Sequence, residues 1–83
     1  MGLYWLTYER SGRPAGVAII SADSLMAARA AVAGIGDRIF EQGHLLDAET
    51  AVRVPPNCIG RLMARKEAVA MLERIERDAG HVR

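Results

Sequence analysis

From Leu3 to Glu9 the chain is aromatic and aliphatic, from Ala15 to Ile20 it is aliphatic, and Arg10-Ser11-Gly12-Arg13-Pro14 between them is turn chemistry. Gly12 is free to take positive φ, so the stretch predicts a β-hairpin. A two-residue loop of Ser11 and Gly12 sets Tyr8 against Ala15, Leu6 against Val17 and Tyr4 against Ile19 on one side. On the other, Trp5 meets Ala18 and Leu3 meets Ile20. Both faces of the hairpin are then apolar. The same register opposes Arg10 and Arg13, which is unfavourable and leaves a longer, bulged loop open. Pro14 lacks an amide donor and suits an edge position or a strand start.

Ser21-Ala22-Asp23-Ser24 has the short polar side chains that cap orphan helix amides. Behind it Leu25, Ala28, Val32 and Ile35 form an apolar stripe at helical spacing, with Arg29 pointing away and Gly34 and Gly36 as the stop. Asp37 to Leu46 alternates loosely and predicts a third strand, kinked at Gly43. Asp47-Ala48-Glu49-Thr50-Ala51 predicts one helical turn capped by Asp47, or a simple turn, before Pro55-Pro56-Asn57 breaks regular structure. Cys58 to Met63 predicts a short final strand. Ala68, Met71, Leu72, Ile75 and Ala79 then predict an amphipathic helix ended by Gly80, with residues 80–83 as a frayed tail.

The expected fold class is α+β, a two-layer β-β-α-β-β-α domain over residues 1–83 with a mostly antiparallel sheet and both helices on one face. The other face must then carry Leu3, Trp5, Ala18 and Ile20, or else Tyr4, Leu6, Val17 and Ile19. An apolar patch of that kind marks a partner surface or a ligand groove. The expectation is a non-catalytic interaction module that uses Leu3, Trp5, Ala18 and Ile20 to form a homodimer or to hold a protein partner.

Composition narrows the alternatives. Of 83 residues 51% are apolar and 25% charged, the ordinary globular mix, and at this length there is room for a single core. A net charge of +1 supplies no global field to draw in nucleic acid or anionic lipid. A single cysteine, no basic leader and no apolar run near the ~20 residues of a membrane span imply a cytoplasmic chain without membrane insertion.

Several residues carry candidate chemistry. Arg53, Arg61, Arg65 and Lys66 are the densest basic stretch and the candidate for phosphate contacts, though Glu67, Glu73 and Glu76 dilute the field and make nucleic-acid binding the lesser reading. Cys58 with His44 suggests a thiolate–imidazole pair, and His44, Asp47 and Glu49 a metal site; the spacing of neither is a signature. Trp5 between Tyr4 and Tyr8 is a core or contact aromatic before it is a base-stacking platform. No catalytic residue, metal or cofactor is therefore expected.

Together the hairpin Leu3-Tyr4-Trp5-Leu6-Thr7-Tyr8, the stretch Gly43-His44-Leu45-Leu46-Asp47, the segment Pro55-Pro56-Asn57-Cys58-Ile59-Gly60-Arg61 and the Glu67-Ala68 helix resemble a small conserved protein of unknown function from GC-rich proteobacteria. The resemblance implies no activity, substrate or site residue.

Overall fold

A computed structural model describes residues 1–81. The chain runs β1 (Gly2–Arg10), β2 (Arg13–Ala22), α1 (Leu25–Ala31), β3 (Ile39–Leu45), α2 (Ala48–Ala51), a 3₁₀ turn (Pro56–Cys58), β4 (Leu62–Met63) and α3 (Arg65–His81). The strands form one antiparallel sheet in the order β3-β1-β2-β4, and the fold is α+β. Among the described residues no helix is long and apolar enough to cross a membrane.

The hairpin turns through Ser11 and Gly12 at φ 53° and 75°, the pair of positive values that matches the twist of the strands it joins. Arg10 does stand opposite Arg13. Asp37 relieves the clash of charge by accepting from Arg10 Nε at 2.8 Å. One residue further in, the ladder skips Ala15: Glu9 pairs with Pro14 but Tyr8 with Gly16, a β-bulge. Every pair beyond it moves by one position, so Trp5 faces Ile19 and Leu6 faces Ala18.

That slip reassigns the faces. Leu3, Trp5, Val17 and Ile19 lie on one side, packed against Ala68, Met71, Leu72 and Ile75 of α3 with Leu46, Val54 and Cys58. Tyr4, Leu6, Tyr8, Ala18 and Ile20 lie on the other, packed against Leu25, Ala28 and Val32 around α1. The two helices therefore cover opposite faces, and the expected two-layer arrangement with an open apolar face gives way to three layers. The physical reason is the doubly apolar hairpin itself, because burying both sides of β1 and β2 needs a helix on each.

Local signals explain most boundaries. Ser24 caps α1, its Oγ accepting from the Ala27 amide at 3.1 Å. The helix ends at Ala31, before the two glycines, since Val32 is already extended; Gly34 and Gly36, both at positive φ, shape the loop that follows. Asp47 precedes α2 without a side-chain capping bond. The final strand is only two residues long, because Ile59 bridges Ile19 in parallel and Gly60, at φ 91°, donates its amide to the Ile19 carbonyl before the chain reverses. Helix α3 continues through Gly80 to His81 rather than stopping at the glycine. The side chain of Ala79 and residues 82–83 of the expected tail lie outside the described residues.

Candidate functional site

The four residues expected to share an interaction surface do not share one. Leu3 and Trp5 face α3, Ala18 and Ile20 face α1, and Trp5, Ala18 and Ile20 are buried in the single chain. The two pairs part at Ala15: one unpaired residue turns a common face into two opposite ones, because strand side chains alternate with period two.

Two members of the basic cluster are engaged within the chain. Arg53 donates to the Glu49 carbonyl at 2.7 Å, holding the end of α2. Arg61 donates through Nε to the Asn57 carbonyl and through its terminal nitrogen to Glu67, each at 2.7 Å. The Glu67 carboxylate, with the nearby Cys58 thiol a smaller influence, raises the Arg61 pKa above its ordinary value. Arg65 and Lys66 are exposed in the first turn of α3. Cys58 is buried in the 3₁₀ turn against the α3 core, while His44 is exposed on β3 opposite Trp5. Among the described residues no three His, Cys, Asp or Glu side chains come together as a metal site.

With both faces closed, the sheet offers its edges. Two-residue β4 at one margin gives little to pair with, whereas seven-residue β3 forms the other and has a partner, β1, on one side only. Ile39 and Leu45, near its two ends, are 61% and 55% exposed. The Leu46 amide donates to the Leu3 carbonyl at 2.9 Å, so by the alternation of an antiparallel ladder the amides of Gly43 and Leu45 point outward from the sheet. Gly43 is straight rather than kinked. A Cβ there would lie 2.6 Å from a Leu6 methyl and 2.8 Å from a Leu25 methyl, so glycine is needed for close packing beneath α1. The expected irregularity sits at Glu41 instead, unpaired between Phe40 opposite Tyr8 and Gln42 opposite Thr7. Buried Thr7 is satisfied locally, its hydroxyl donating to the Gln42 carbonyl at 3.2 Å.

Beside this edge, on the α1 side, lies a groove of about 400 Å³ walled by Tyr8, Met26, Arg29, Ile35, Arg38 and Phe40. Phe40 meets Tyr8 edge to face, ring centroids 5.8 Å apart. The Arg29 guanidinium carbon lies 4.0 Å above the centroid of the Phe40 ring. Arg38 is clamped: Nε donates to the Ala15 carbonyl at 2.6 Å and one terminal nitrogen to the carbonyls of Ile35 and Gly34 at 3.1 and 3.3 Å. Burial raises the Tyr8 pKa, and the positive charge of Arg29 partly opposes the shift. The groove thus carries two guanidinium groups and no carboxylate. Helical spacing assigned Arg29 to solvent, and no local signal links it to a phenylalanine eleven positions later on another element. Compared with known proteins, the chain matches no family model, no curated protein and no solved structure.

Proposed function

We propose that this chain is a non-catalytic protein-interaction module that binds an extended segment of another protein along the outer edge of β3. The observation that carries the reading is a seven-residue edge strand with outward amides at Gly43 and Leu45 and exposed Ile39 and Leu45, in a sheet whose faces are both covered. An added strand recovers main-chain hydrogen bonds there and buries the two aliphatic side chains, the physical basis of recognition by β-strand addition. The bulge at Glu41 and its charge limit indiscriminate edge pairing, which favours a selected partner over aggregation.

The test is selection of random seven-residue peptides displayed against the immobilised protein, followed by amide chemical-shift mapping. Bound peptides are expected to shift the Gly43 and Leu45 amides. The Ile39→Lys/Leu45→Lys double variant, which alters only exposed side chains, is expected to lose that binding while keeping its fold. Peptides that bind elsewhere, or bind the double variant equally well, refute the proposal.

A further inference from the structure

Resting on the β3-edge reading, we infer that the segment received there carries a carboxylate side chain where it passes Phe40, and that Arg29 receives it. Phe40 belongs both to the free strand and to the groove wall. A residue opposite Phe40 on an added strand projects to the same face, with its Cβ about 5 Å from that of Phe40. That face is the α1 side, where the Arg29 guanidinium lies 4.0 Å over the Phe40 ring. Among the described residues no carboxylate pairs with Arg29, and the groove brings the clamped Arg38 alongside it. An Asp or Glu arriving at this position therefore meets two guanidinium groups in a groove lined by no carboxylate. Arg29 is placed over an aromatic ring, and a guanidinium's planar fork can take a carboxylate by two parallel bonds.

The same geometry argues against a second copy as the occupant. If two β3 strands paired antiparallel in full overlap, residue 39 opposite residue 45, position 44 would fall opposite Phe40, and a histidine there brings no carboxylate to the groove. Glu41 is the only acidic residue of β3, and placing it opposite Phe40 confines the pairing to residues 39–42. The charge of the groove is met by a foreign acidic segment and not by this strand.

The experiment takes the displayed peptides that shift the Gly43 and Leu45 amides and asks what they share. A single Asp or Glu is expected at one fixed position. Its replacement by Asn or Gln is expected to weaken binding to the wild-type protein at least tenfold, yet change binding to the Arg29→Gln variant less than threefold. If edge-binding peptides show no acidic preference, or the loss persists undiminished in Arg29→Gln, the carboxylate inference is overturned while the edge reading stands. If no peptide reaches the edge amides, both fall. Concentration-dependent dimerisation of the protein alone, abolished by Leu45→Lys, would identify a second copy as the occupant and likewise overturn it.

Discussion

Arg29 of α1 stacks on Phe40 of β3, 4.0 Å from guanidinium carbon to ring centroid, and so ties the helix on one face of the sheet to the strand at its edge. At an exposed site such a pair is worth about 0.5–1 kcal/mol. Arg29→Gln should therefore leave the chain folded and lower its stability by no more than that order, read from the midpoint of urea unfolding. A loss several times larger would mean that Arg29 is a structural strut rather than a residue held for a ligand.

Gly43→Ala should destabilise far more than its size suggests. The added methyl meets Leu6, which is fully buried, and Leu25 of α1 at distances shorter than van der Waals contact. Overpacking of this kind costs about 1–3 kcal/mol. Combining it with Leu25→Ala should recover part of that loss beyond simple additivity, since one of the two opposing methyls is gone. Additive behaviour in the double-mutant cycle would contradict the packing.

Substitutions on either face of the central hairpin should act as core mutations. Trp5→Ala, on the α3 side, is expected to cost about 3–5 kcal/mol, and Leu6→Ala, on the α1 side, about 2–5 kcal/mol. Circular dichroism during denaturant titration checks both. Were Trp5 instead a surface contact residue, its replacement would leave the monomer's stability almost unchanged.

The two helix starts should respond differently to loss of their polar residues. Ser24→Ala removes the hydrogen bond to the Ala27 amide and should cost about 1 kcal/mol. Asp47→Ala removes no side-chain cap and should cost clearly less under the same denaturant titration. Equal losses would contradict the capping geometry.

Alkaline titration should expose Tyr8. Burial raises its pKa above 10, so the folded chain holds the phenolic proton more tightly than the unfolded chain does. The associated stability is present below pH 10 and declines as pH rises from there through the folded pKa. In a Tyr4→Phe background, absorbance near the phenolate band should titrate late, and Arg29→Gln should delay it further by removing a positive neighbour. An earlier titration in Arg29→Gln would contradict the arrangement of the groove.

Local patterns along the chain were sufficient for the hairpin, a helix start within Ser21–Ser24, the amphipathic α3 and the α+β class, because each rests on residues close together in the chain. Tertiary structure decided the rest. The unpaired Ala15 shifted the register by one residue, and with period-two alternation that single step divided Leu3 and Trp5 from Ala18 and Ile20. Which face each helix covers follows from burying two apolar sides at once, a condition that belongs to the assembled sheet and to no segment of it. The juxtaposition of Arg29, Arg38, Tyr8 and Phe40 arises from three separate stretches brought together by that packing, and so has no footprint in spacing along the chain.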